Sequence, residues 1–100
     1  MAAYVIANIH VTDPERYEAY KLQAAASIAA HGGRYLARGG KHEVLEGRWS
    51  PHRLVILEFE SYERAIEWYE SQEYDAPKDL RQKIAVSEII VLEGIESARR

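Results

Sequence analysis

The sequence predicts one α+β domain. Its sheet is antiparallel and four-stranded, in the order β-α-β-β-α-β, with helices on one face and a second copy of the chain on the other. Three observations carry this. Segments with apolar residues at helical spacing alternate with apolar segments of strand length. Right-handed crossovers in that succession favour the sheet order 4-1-3-2. The strand segments are also apolar on both faces, whereas an antiparallel sheet wetted on one side alternates between apolar and polar.

The first strand is read over residues 3–11, where Val5, Ala7, Ile9 and Val11 alternate with Tyr4, Ile6, Asn8 and His10. Asp13 then caps a helix with Pro14 at its first position. Tyr17, Tyr20, Ala24, Ile28 and His31 recur at spacings of three and four and form its inward stripe. Gly32-Gly33 ends it, and the second strand, 34–38, stops at Gly39-Gly40. Residues 43–45 predict a short extra strand, and Trp49-Ser50-Pro51 a turn. The third strand, 53–60, has Val55, Leu57 and Phe59 on one side and Leu54, Ile56, Glu58 and Glu60 on the other. Ser61 caps the next helix, with Tyr62, Ala65, Ile66 and Tyr69 as its inward stripe. A short helix over 75–84 follows, with Pro77 early enough to be tolerated. The fourth strand runs over 86–93. Residues 1–95 are then a single domain, and 96–100 a polar, frayed tail.

Composition narrows the function. A chain of 100 residues with a net charge of −3 has no basic footprint for nucleic acid. No apolar run approaches the roughly 20 residues of a spanning helix, and no basic, apolar leader opens the chain. A cytoplasmic protein is expected. Without cysteine there is no disulfide, thiol nucleophile or thiolate metal site. His10, His31, His42 and His52 lack the spacing of metal ligands on one helix face, so no metal is expected. Neither a P-loop nor a GxGxxG string is present, and no nucleotide cofactor is expected.

The string from Gly32 to Gly40 (GGRYLARGG), then Leu45-Glu46-Gly47-Arg48-Trp49, then Glu67-Trp68-Tyr69-Glu70-Ser71 with Tyr74 and Arg81 behind it, resembles a small bacterial family, domain of unknown function 1330. The resemblance covers nearly the whole chain. It implies a ferredoxin-like domain of the dimeric α/β-barrel superfamily, a homodimer whose two sheets face each other around a barrel. That superfamily includes cofactor-independent monooxygenases of aromatic polyketides, muconolactone isomerase, haem-dependent chlorite dismutases and peroxidases, and ligand-sensing regulator domains. Fold analogy does not select among them, and no catalytic motif carries over.

Strand alternation and topology give a candidate site. Asn8, His10, Arg38 and Glu88 fall on the sheet face opposite the helices. His10, Arg38 and Glu88 share one end of it, with Asn8 a step deeper. Trp68, Tyr69 and Tyr74 end the second helical region nearby, and Arg81 follows. His10 is the expected base, since imidazole titrates near neutrality. Arg38 is the expected oxyanion support, through its planar fork. Asn8, Glu88, Trp68, Tyr69, Tyr74 and Arg81 are the expected ligand-binding residues. The plainer alternative pairs Arg38 with Glu88 and leaves His10 capping a turn. The expected activity is that of a cofactor-independent oxygenase or isomerase on a small aromatic or enolisable acid. The alternative is a non-catalytic module that binds a small ligand or another protein. A haem enzyme ranks third, because no histidine is placed as a proximal ligand, and no cofactor is expected.

Overall fold

β-branched and aromatic residues at alternate positions hold residues 3–11 extended, and each later element follows from similarly local signals. In the computed structural model, which describes residues 1–95, the elements are β1 (Ala3–Val11), α1 (Pro14–Ala30), β2 (Arg34–Arg38), β3 (Arg53–Phe59), α2 (Tyr62–Tyr69), α3 (Gln72–Ile84) and β4 (Ala85–Glu93). The tail expected over 96–100 lies outside the described residues. Asp13, Ser61 and Ser71 each cap a helix, accepting a hydrogen bond from the backbone N–H of Arg16, Arg64 and Tyr74 respectively. Gly32 takes the left-handed conformation that ends α1 (φ 74°). The turn then passes so close to β3 that a Cβ on Gly33 would lie 2.5 Å from the Phe59 ring.

The sheet is antiparallel in the order β2-β3-β1-β4, which is the expected 4-1-3-2 seen from the other edge. This is the α+β ferredoxin-like fold. β1 is central, with Ile9 opposite both Arg53 and Ser87, and Asn8 opposite both Leu54 and Glu88. Ala3, Val5, Ala7 and Ile9 are buried beneath the helices with Val55, Leu57 and Phe59. Burial is worth roughly 1.5–3 kcal/mol for each large side chain here, so this face holds the domain together. The other face is apolar too but uncovered, with Leu36 46%, Ile90 58% and Leu92 54% exposed.

Four expectations need correction. Residues 43–45 form no strand, and the stretch from Gly39 to Ser50 is exposed throughout. α3 begins at Gln72 because Ser71 caps it, and Pro77 is therefore well inside the helix. On α2 the inward residues are Ala65 and Trp68, whereas Tyr62 is exposed. α3 follows at once and lays the Tyr74 ring 4.3 Å from Trp68, which turns the buried stripe toward Trp68.

The fourth correction concerns β2. Arg34 and Tyr35 stand opposite Glu58 and Leu57, but Ala37 and Arg38 stand opposite Ile56 and Val55. Leu36 is one residue too many, a β-bulge, and a bulge reverses the facing of everything beyond it. Arg38 thus shares the helix side with Val55, and Ala37 shares the open side with Ile56. Both are opposite to the faces that strict alternation assigns. Among the described residues no helix is long and apolar enough to cross a membrane.

Candidate functional site

The bulge divides the expected site residues between the two sides of the sheet. On the open side, at the end of β1, the His10 ring stacks on His52 with centroids 4.1 Å apart. The Asn8 amide is occupied: its Nδ2 donates to Glu88 at 3.1 Å and its Oδ1 accepts from the His52 backbone N–H at 2.9 Å. Asn8, His10 and Glu88 therefore do gather as expected, together with His52, which strand alternation does not place there. Arg38 does not join them. A shared cavity mouth for His10 and Arg38 within one protomer is ruled out by the sheet between them.

On the helix side Arg38 lies over the Tyr35 ring, 4.5 Å from its centroid, and Arg53 over Tyr17 at 5.5 Å. Such contacts between cations and ring faces are weakly favourable where partly exposed. Arg53 reaches this position by packing against Gly39, which has φ 68° and no Cβ to obstruct the guanidinium. Its Nε is buried without a hydrogen-bond partner. The two arginines and Lys21 border a narrow crevice of ≈ 40 Å³ beneath α1, floored by Val55 and Leu57 and walled by Tyr17, Tyr20, Tyr35 and Tyr74. Roughly 10–15 Å³ on this measure admits one water, so the crevice is a slot rather than a full ligand chamber.

Two larger spaces adjoin it. One of ≈ 190 Å³ lies between α2 and β4, against Ala65, Ile66, Trp68, Tyr69 and Val91. The other, ≈ 240 Å³ and mainly polar, is bounded by Tyr69, Arg81, Gln82, Ala85 and Ser87. Ile89 is a wall of all three. Trp68 is fixed between the crevice and the ≈ 190 Å³ space because its Nε1 donates to Ser27 Oγ at 3.0 Å, and Ser27 in turn donates to the Ala24 carbonyl at 2.8 Å. The expected ligand-binding residues Trp68, Tyr69, Tyr74 and Arg81 thus meet in this layer, away from Asn8 and Glu88.

A hydrogen-bonded chain crosses the layer. Arg81 Nε donates to Tyr74 Oη at 3.3 Å, and Tyr74 and Tyr20 share a hydrogen bond of 2.7 Å. Burial pushes the Tyr20 hydroxyl far above the usual phenol range, and neighbouring Tyr74 pushes it further. Burial opposes the Arg81 charge, but the oxygens of Tyr74, Tyr20 and Tyr69 outweigh it and hold the guanidinium ionised. The Tyr20 phenol serves here as a hydrogen-bonding group, not as a base. No histidine, aspartate or glutamate among the described residues borders the three spaces. Nor do three histidine or carboxylate groups gather anywhere among them in the way a metal ion would need.

A scan of protein families matches residues 2–95 to the family described as Domain of unknown function (DUF1330). The chain belongs to this family. No curated protein matches it. Among solved structures it is similar to a protein of unknown function from Rhodopseudomonas palustris, with a TM-score of 0.75 at 19% identity, covering 96% of this chain and 84% of that one. It is similar also to SnoaB, a cofactor-independent oxygenase from Streptomyces nogalater, with a TM-score of 0.66 at 12% identity over 99% of this chain and 98% of that one. A third, from Bacteroides fragilis, is described as a dimeric protein of unknown function with a ferredoxin-like fold; it gives 0.58 at 13% identity over 93% and 96% of the two chains. At such identities the likeness shows a common fold.

Proposed function

We propose that this DUF1330 protein is a homodimeric enzyme that works without a cofactor, an oxygenase or isomerase of a small aromatic or enolisable acid. Its substrate lies in the layer between sheet and helices. The observation that carries the reading is the Tyr20–Tyr74–Arg81 chain, which links an aromatic crevice to a polar chamber in that layer. Aromatic walls with a few convergent polar groups suit a small ligand. Since no ordinary base borders the layer, the substrate must supply its own acidity. A phenol or enol ionises more readily beside a fixed guanidinium, its proton passing to solvent water, and Arg38, Arg53 and Arg81 supply that charge. The resulting anion is electron-rich enough to reduce dioxygen itself or to tautomerise. SnoaB supports the oxygenase side by fold likeness alone.

The second copy covers the open sheet face. Support comes from the exposed Leu36, Val86, Ile90 and Leu92 on that side and from the relative described as dimeric. His10 then belongs to the interface, not to the chemistry.

A second reading is favoured by one observation. The buried Tyr20 hydroxyl is committed to Tyr74 at 2.7 Å and burial raises it above the usual phenol range, so the layer is better equipped to bind than to move protons. In that case the protein is a non-catalytic binding module. Incubating purified protein in air with phenolic, quinolic and enolisable acids, with oxygen uptake and product masses followed, tests the pair. Saturable turnover supports the enzyme. Saturable binding without turnover supports the module, and absence of both contradicts either reading.

A further inference from the structure

Arg81 is 4% exposed, yet among the described residues no aspartate or glutamate forms an ion pair with it. Its one hydrogen bond among the described residues runs from Nε to Tyr74, which leaves the terminal N–H donors without an acceptor among those residues and open to the chamber that Arg81 borders. Buried charge is normally paired, because the lost hydration must be replaced. A second unpartnered group stands in the same wall. Ser87 lies opposite Ile9 and therefore on the helix side of β4, and its Oγ is buried with no hydrogen-bond partner. Both residues border the ≈ 240 Å³ chamber. That chamber shares Tyr69 and Ile89 with the apolar space between α2 and β4.

We infer that Arg81 and Ser87 form the subsite for a ligand carboxylate, whose apolar body lies in the adjoining space against Trp68, Tyr69 and Ile89. This rests on the sheet–helix layer being the ligand layer. A planar fork suits a carboxylate, with the serine hydroxyl as an additional donor. One guanidinium balances the single negative charge of a carboxylate. A phosphate dianion would bring a second charge that no other cation on this chamber meets.

Benzoate and its neutral isostere benzamide are the probes, read by calorimetric titration and thermal shift at neutral pH. Wild-type protein is expected to bind benzoate about tenfold or more tighter than benzamide, as a charged hydrogen bond warrants. Ser87→Ala removes a hydroxyl without a protein partner, so it should fold normally. It should lose about tenfold in benzoate affinity and clearly less in benzamide affinity, since a hydrogen bond to a charged group is the stronger. Arg81→Lys keeps the charge without the fork and should lose at least as much. Should that variant fail to fold, Ser87→Ala decides. Equal binding of the two probes, or full benzoate affinity in Ser87→Ala, overturns the subsite. Selective benzoate binding without turnover of any substrate leaves the subsite standing and counts against the enzyme alone. Turnover of neutral substrates with no preference for acids does the reverse.

Discussion

Arg38 stands opposite Val55 across the β2–β3 pair, on the side of the sheet that faces the helices. Odd-numbered Tyr35 and even-numbered Arg38 therefore share a face, and the Arg38 guanidinium folds back over the Tyr35 ring at 4.5 Å. The residue responsible is Leu36, inserted where the ladder slips. One extra residue moves a cation from the open side of the sheet to the side that faces the helices.

That relocation separates two substitutions that strict alternation would have made equivalent. Arg38→Ala is expected to weaken anionic ligands about 1.4- to fivefold, since partly exposed charge interactions are worth ~0.2–1 kcal/mol. His10→Ala is expected to leave their affinity unchanged, because His10 stacks on His52 behind the sheet. Calorimetric titration of both variants with benzoate checks this. A large loss in His10→Ala with none in Arg38→Ala would place the ligand on the other face.

The tyrosine pair predicts an asymmetry in stability. Tyr74→Phe deprives both Arg81 Nε and Tyr20 Oη of a partner and should cost about 1–3 kcal/mol. Tyr20→Phe removes only one hydrogen bond and should cost about 0.5–1.5 kcal/mol. Urea unfolding at pH 7 measures both. Equal costs would mean that Arg81 does not depend on Tyr74.

The same pair sets a pH dependence. The Tyr20 hydroxyl is raised above its ordinary value of 10.0 when folded, by burial first and by Tyr74 second. Its neutral form is thus favoured in the folded chain, and the contribution is complete below about pH 10. Above that the unfolded phenol ionises while the folded one does not, so stability falls as pH rises. Wild-type protein should lose stability more steeply than Tyr20→Phe between about pH 10 and 11. Parallel curves would contradict the shift.

The open face predicts the dimer. Ile56 lies on it between β1 and β2, opposite Ile6 on one side and Ala37 on the other. Two such faces should bury more than about 2,000 Å² in total. Ile56→Asp should give unfolded or aggregated protein, because each large apolar side chain left uncovered forgoes roughly 1.5–3 kcal/mol. Light scattering that finds a stable native wild-type monomer at micromolar concentration contradicts the assembly.

Trp49 and Trp68 make convenient reporters because they differ so much in environment, 58% against 2% exposed. In Trp68→Phe protein the remaining emission comes from Trp49, in the exposed segment between β2 and β3. If that segment reaches across the partner, dilution through dissociation should shift the emission to longer wavelength. An unchanged spectrum, with every ligand as well, would leave the segment a plain surface loop.

The strands and their order were legible because hydrophobic alternation and capping residues are local signals. Residues 3–11 and 34–38 fall where periodicity puts them, and apolar side chains on both faces of β1 and β3 announced an uncovered side. The bulge at Leu36 was not legible, since nothing in Arg34-Tyr35-Leu36-Ala37-Arg38 distinguishes a regular strand from one with an extra residue. Only pairing with β3 reveals it. Trp68 fell outside the inward stripe of α2 for a related reason: its burial depends on Tyr74 and Ser27, which helical spacing within α2 does not sense. Arg81 was visible as a candidate, but its lack of a carboxylate partner among the described residues is a property of three dimensions.

The most direct test of the central claim, that the ligand layer lies between sheet and helices, is a nitrogen–proton chemical-shift titration of the native protein with benzoate. Saturable shifts should concentrate on the backbone amides of Tyr69, Ser87 and Ile89 and on the Arg81 side-chain Nε–H. Shifts concentrated instead on His10, His52 and Glu88 would put the site on the open face and contradict the account.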